Sequence, residues 1–274
     1  MIARDIAMDQ VKQAVVVVAH PRSGTHLTMD FIRRNFPCFD PGLRPWQSAG
    51  ELYVDLDKPL WMHTLDRPAC RSDHVLLQSH RAGLCNRVGA QAIDRLRPLA
   101  TLFVYPFRRF PATMRSFSDL RGYDGPTTRL LSETDRFFGL DQTVQACARQ
   151  HGESWLGCNA TFLDVDALIA EPERGAESLA GALGLPAAPL ARRLPRRKRF
   201  HGKLAEAVQR LTGRESTEVK VHRRTPAPDP GEARFIDEAF ADIYDEMTAR
   251  SLNGAPSSMF EGAGAESRSQ GRAS

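Results

Sequence analysis

Ala14-Val-Val-Val-Val-Ala19, running directly into His20-Pro-Arg-Ser-Gly-Thr-His26, is the stretch whose reading decides the fold. The four valines are β-branched, uninterrupted by polar residues and bounded by a turn, the pattern of a strand buried on both faces in a parallel sheet. Pro21-Arg-Ser-Gly24 supplies the turn. Thr25 to Phe36 then predicts a helix with Leu27, Met29, Phe31, Ile32 and Phe36 around most of its girth, closed off by Pro37. Strand, short loop and helix are the opening half of a βαβ unit.

Working outward, the same alternation recurs. Residues 37–73 are rich in Pro, Gly and aromatics and read as a long excursion with short helices. Val75-Leu-Leu77 predicts a second strand, Leu99 to Tyr105 a third and Ala160 to Val165 a fourth. Between them, Pro111 to Leu120 reads as a helix with Met114, Phe117 and Leu120 in phase. Val144, Cys147, His151 and Trp155 mark one face of another. Glu173 to Leu183 is a helix stopped by Gly184, and Ile236, Phe240, Ile243 and Met247 mark a last amphipathic helix. The expectation is an α/β fold, a central, mostly parallel sheet flanked by helices. Its domain spans residues 14–252, between a lead-in at 1–13 and a disordered Gly/Ser/Ala tail at 253–274.

Composition sets outer bounds. With 274 residues, 42% hydrophobic and 26% charged, the chain is ordinary for a globular protein and long enough for a substantial core. Its longest purely apolar stretch, Ala14 to Ala19, is too short to span a bilayer. Arg4, Asp5, Asp9 and Lys12 break up any signal-peptide pattern. Cys38, Cys70, Cys85, Cys147 and Cys158 show no paired spacing, which argues against a zinc site and a disulfide framework and for a reducing cytoplasm. The net charge is +4, and 32 of the 37 basic residues are arginine, a surface suited to anions.

The loop at 20–26 has the chemistry of an anion site. A turn between a buried strand and a helix start presents backbone N–H groups and the positive end of the helix dipole. Gly24 permits close backbone approach, Ser23 and Thr25 add hydroxyl donors, and Arg22 adds a permanent forked charge. It is not a Walker A loop, because Thr25 rather than lysine follows Gly24 and Ala19 stands where a glycine belongs. The bland alternative is a well-capped strand-to-helix turn.

Pro21-Arg-Ser-Gly-Thr25 resembles the 5′-phosphosulfate loop of sulfotransferases that use 3′-phosphoadenosine 5′-phosphosulfate (PAPS). Four further segments follow in that family's order. Leu76-Leu-Gln-Ser-His80 is similar to the strand that ends in a catalytic histidine, with Gln78 in place of the usual lysine. Phe103 to Ser116 resembles the 3′-phosphate segment, in which Arg108 and Ser116 keep the arginine-to-serine spacing. Phe162 to Pro172 resembles a strand with a trailing proline, with Val165 at a position usually tyrosine. Val221-His-Arg-Arg-Thr225 resembles a second 3′-phosphate stretch carrying Arg223 and Arg224. Leu27 stands where many members have tryptophan, and the C-terminal dimer motif of cytosolic members is not recognisable.

The resemblance implies a P-loop-like nucleotide-binding architecture and sulfuryl transfer from PAPS, without a metal, to a hydroxyl or amine of a small-molecule or glycan acceptor; neither a nucleic-acid partner nor a membrane span is expected. His80 would be the base and Arg22 would meet charge on the leaving phosphate. Arg22, Ser23, Gly24, Thr25 and His26 would hold the phosphosulfate, and Arg108, Ser116, Arg223 and Arg224 the 3′-phosphate. Glu51 is the rival base, since some carbohydrate and tyrosylprotein sulfotransferases use a glutamate. A kinase-like transferase and a non-catalytic nucleotide or glycan binder are the competing functions. The basic run Arg192 to Arg199 lacks interleaved aromatics and reads first as a solvated loop, second as a contact for an acidic acceptor. Trp46 and Trp61 read as core residues or as walls of the acceptor pocket.

Overall fold

A computed structural model describes residues 13–39, 54–56, 74–80, 100–135, 141–158, 160–187 and 229–252. The lead-in before residue 13, Trp46, Glu51 and Trp61, the basic run at 192–199, the Arg223–Arg224 pair and the tail at 253–274 lie outside the described residues.

Among the described residues five strands form one sheet: β1 (Gln13–Val18), β2 (Val54–Asp55), β3 (His74–Ser79), β4 (Ala100–Phe107) and β5 (Thr161–Asp164). Their order is β2-β3-β1-β4-β5, and every pairing is parallel. β1 runs beside β3 from Gln13↔His74 to Val18↔Ser79 and beside β4 from Gln13↔Ala100 to Val17↔Val104. The chain therefore builds away from β1 on one side, then crosses over and builds on the other. In such sheets the crevice for a ligand opens beyond the carboxyl ends of the strands at that switch point.

The helices are α1 (Thr25–Asn35), α2 (Phe110–Arg121), α3 (Thr127–Ser132), α4 (Val144–Leu156), α5 (Val165–Ala170), α6 (Pro172–Leu183) and α7 (Pro230–Ala249). Strand side chains alternate between faces, and the core divides accordingly. Ala14, Val16 and Val18 pack with Met114 and Phe117 of α2, Trp155 of α4 and Ile236, Phe240 and Met247 of α7. Val15 and Val17 pack with Phe31 and Ile32 of α1, Leu168 of α5 and Leu179 of α6. Every residue from Ala14 to Ala19 is fully buried. At about 1.5–3 kcal/mol for each buried aliphatic side chain, a strand without polar residues needs helices over both faces, and it has them.

Local signals set the helix ends. Thr143 accepts from Ala146 N at the start of α4, Asp164 from Asp166 N and Ala167 N at α5, and Asp229 from Gly231 N and Glu232 N at α7. α7 is fastened to α2 by Phe110 stacked on Phe240 with ring centroids 4.1 Å apart, and to α4 by Arg149 reaching Asp242 at 2.6 Å. Beyond α7, Ser251 forms a parallel bridge to Phe162 of β5, and Leu252 N donates to Phe162 O at 2.9 Å.

The expected α/β fold with a parallel sheet is present, with four local differences. β3 is longer than the apolar run that announces it, because polar His74, Gln78 and Ser79 join the ladder, and β4 runs on through Pro106 and Phe107, which pair with β5. The excursion at 37–73 contributes a two-residue strand, β2, besides a short 3₁₀ turn at Pro37–Phe39. Val165 is not in a strand. Asp164 caps a helix there, and Val165 is its first residue. Leu120 is exposed, since α2 turns that position away from the core that Met114 and Phe117 enter.

Candidate active site

Three chain segments leave the sheet side by side at its carboxyl end. Ala19 N donates to Ser79 O at 3.1 Å, extending the β1–β3 ladder one step and bringing His20 and His80 out together. Arg108 follows the end of β4.

The loop after β1 is built around two left-handed residues. Ser23 N donates to His20 O at 3.2 Å, which closes the turn and leaves Arg22 at φ 73° and Gly24 at φ 106°. A non-glycine residue held there costs about 1–3 kcal/mol, and such residues cluster at ligand sites. Only glycine fits at position 24. A Cβ would stand 2.9 Å from Val165 Cγ2, so the loop rests on the first residue of α5. Gly24 caps α1 without any side-chain bond, which leaves the donors of the first turn facing the loop. Thr25 Oγ1 is buried and has no hydrogen-bond partner among the described residues. An orphaned hydroxyl at a helix start, beside a strained arginine, fits an incoming anion with acceptor oxygens.

Arg22 is exposed, yet its Nε–H is committed, donating to Ser116 Oγ of α2 at 2.8 Å. That bond aims the outer face of the guanidinium, and it joins two residues that the sequence assigns to opposite ends of a donor. Arg108 lies 3.7 Å from Asp166 of α5, whose other oxygen accepts from Arg109 N at 3.3 Å. Arg109 pairs with Asp237 of α7. A carboxylate of this chain thus occupies the start of α2 and touches the arginine expected to bind a phosphate.

His80 is half-buried, and its Nδ1 lies 3.0 Å from Ala19 O. A carbonyl only accepts, so Nδ1 carries the proton and Nε2 is the basic nitrogen of the neutral ring. Around it lie His20, His151 and Tyr105, all buried. His20 donates from Nδ1 to Pro21 O at 2.9 Å, and burial lowers its pKa to about 4, with the nearby His80 adding to the effect. His151 is likewise held well below the usual imidazole range, by burial first and then by His20 and His80. Burial raises the Tyr105 phenol. Gln78, where the resemblance expects lysine, is buried, and its Oε1 has no partner among the described residues.

The structure therefore gathers Arg22, Ser23, Gly24, Thr25, His26 and Ser116 around one loop and sets His80 on the adjacent strand end. Arg108 stands apart, engaged by Asp166. Glu51, Arg223 and Arg224 fall outside the described residues. Sequence reasoning missed His151, Tyr105 and Asp166. The signal for His151 was present, since a histidine on an otherwise apolar helix face must find polar partners inside. Among the described residues no group of three His, Cys, Asp or Glu side chains is arranged to hold a metal ion. No helix among them is long and apolar enough to cross a membrane.

No protein-family model matches the chain, and no curated protein sequence does. Among solved structures, that of the mouse sulfotransferase SULT7A1 complexed with PAP is similar. It has 13% identity and a TM-score of 0.46, over 86% of this chain and 87% of that one.

Proposed function

We propose that this protein is a sulfotransferase that moves a sulfuryl group from PAPS to a hydroxyl or amine of a small-molecule or glycan acceptor in the cytoplasm. The observation that carries this reading is the juxtaposition at the ends of β1 and β3. An anion loop with left-handed Arg22 and Gly24 begins one residue after the carbonyl that orients His80.

In this reading the donor supplies an activated sulfuryl group on a phosphate. Ser23, Gly24, Thr25 and His26 hold the phosphosulfate through the loop and the start of α1. His80 Nε2 takes the acceptor's proton as the acceptor oxygen bonds to sulfur. The bond from sulfur to the bridging oxygen breaks with its electron pair staying on the phosphate, where Arg22 meets the new charge. Ser116 steadies Arg22 through Nε, and with Arg108, Arg223 and Arg224 it is assigned to the donor's 3′-phosphate. No residue in this scheme needs a metal.

The test is transfer of labelled sulfate from PAPS to acceptor extracts in EDTA, together with calorimetry of adenosine 3′,5′-bisphosphate (PAP) against 5′-AMP. PAP is expected to bind at least tenfold tighter, because charge-assisted bonds of roughly 1.5–3 kcal/mol each are lost with the 3′-phosphate. Equal affinities remove the PAPS assignment, and an absolute Mg²⁺ requirement moves the protein to the kinase-like alternative.

A further inference from the structure

Beneath His80 runs a chain of buried polar groups that the scheme above does not use. Tyr105 of β4 lies with its hydroxyl 2.9 Å from His151 Nδ1, and His151 Nε2 lies 3.1 Å from the carbonyl oxygen of His80. The carbonyl fixes the direction of the whole chain. It only accepts, so His151 Nε2 carries the proton. In the neutral ring Nδ1 is then an acceptor, and the Tyr105 hydroxyl donates to it. His151 is 0% exposed and Tyr105 2%, so neither bond is exchanged for water. The shifts of both groups, down for His151 and up for Tyr105, keep them neutral and the polarity of the chain single-valued near pH 7.

His80 follows Ser79, the last residue of β3, and hydrogen bonds to two different elements hold it. The ring is tied through Nδ1 to Ala19 O after β1, and the peptide is tied through its carbonyl to His151 of α4. The first anchor sets the tautomer only while the peptide keeps the ring against Ala19 O, and the second holds the carbonyl of that peptide in place. A displacement of about 1 Å in a reacting group costs on the order of 10²-fold in rate, so the second anchor bears directly on turnover. Resting on the reading of His80 as the base, we infer that His151, oriented by Tyr105, is a positioning residue that fixes the peptide carrying His80 and thereby aims its Nε2 at the acceptor.

The experiment compares His151→Leu, His151→Gln and Tyr105→Phe with the full-length wild-type protein. Imidazole ¹⁵N–¹H spectra read the His80 tautomer, calorimetry reads PAP affinity, and the transfer assay reads kcat and KM. His151→Leu is expected to convert His80 from the single Nδ1–H form to a mixture and to lower kcat by on the order of 10²-fold. PAP affinity should stay within about twofold, since the chain of bonds meets the loop at the His20 backbone and not at Arg22, Ser23, Gly24 or Thr25. His151→Gln, whose amide N–H can still donate to the carbonyl, should recover part of both losses. Tyr105→Phe removes one hydroxyl and keeps the ring, so it carries the test if His151→Leu does not fold, with smaller effects in the same direction. An unchanged His80 spectrum in the folded variants overturns the inference, as does a parallel fall of kcat and PAP affinity. A wild-type protein that neither binds PAP nor transfers sulfate defeats the proposed function instead, and the His80 spectra then decide the positioning role by themselves.

Discussion

Arg22 Nε and Ser116 Oγ, 94 residues apart, are joined by a 2.8 Å hydrogen bond that links the loop after β1 to the middle of α2. The bond uses the inner edge of the guanidinium and leaves the outer fork to face a ligand. Ser116→Ala should therefore loosen Arg22 as well as remove a hydroxyl. PAP affinity is expected to fall about tenfold, from one charge-assisted bond. Calorimetry measures it, and an unchanged Kd would mean that Ser116 serves only packing.

In the proposed reading Asp166 competes with the donor's 3′-phosphate. It touches Arg108 and accepts from Arg109 N, so an incoming anion at the start of α2 must displace or share it. Asp166→Asn keeps an acceptor for the backbone N–H and removes the charge. PAP should bind several-fold tighter at low salt and 5′-AMP should be unaffected. Weaker PAP binding in the variant would show that the carboxylate organises the site instead.

His80 and Arg22 should separate in kinetics. His80→Ala is expected to lower kcat by about 10²–10⁴ with PAP affinity intact, the usual worth of a positioned base. Arg22→Ala should weaken PAP binding as well as rate. If His80→Ala retains near-full activity and Glu51→Ala abolishes it, the glutamate takes the role of base.

Gly24 admits no side chain. Gly24→Ala combines a φ of 106° with a Cβ 2.9 Å from Val165 Cγ2. A loss of about 1–3 kcal/mol in stability is expected from the backbone alone, read as a lowered denaturant midpoint. PAP binding should fail as well if the loop changes course.

Buried neutral histidines make the fold acid-sensitive. The unfolded chain takes up a proton on His20 near pH 6.5, whereas the folded site resists it until about pH 4. The unfolded state thus binds more protons across that window, and stability falls as pH drops through it. His20 contributes on the order of 3 kcal/mol of this loss, and His151 adds to it in the same direction. Chemical denaturation at pH 7 and pH 4.5 measures the difference. His20→Gln, which does not titrate, should show a visibly smaller drop between the two pH values.

The parts of the fold that could be read in advance are those whose information is local. Val15 to Val18 announce β1 by composition, and Gly184 marks the end of α6 by backbone chemistry. β2 could not be read, because two residues in a proline- and aromatic-rich stretch join the sheet only through pairing with β3. Val165 was misplaced because a valine after Phe162-Leu163 continues a strand pattern, until Asp164 caps a helix one residue earlier. At the site, the loop and His80 were visible as motifs. Their partners were not. Tyr105 and His151 lie 46 residues apart, His151 and His80 71, and no local pattern carries a contact of that separation.

The bridge from Ser251 to Phe162 has a consequence for solubility. Among the described residues β5 is an outermost strand, and an outermost strand with unpaired N–H and C=O groups is a template on which other chains can stack. The few residues beyond α7 lie along it and satisfy Phe162 O through Leu252 N. They act as a selvage, finishing the sheet so that it does not ravel into a neighbour's. A chain cut back to Arg250 would keep the core packing of α7 and lose this finish, and self-association rather than unfolding would be the first sign of its loss.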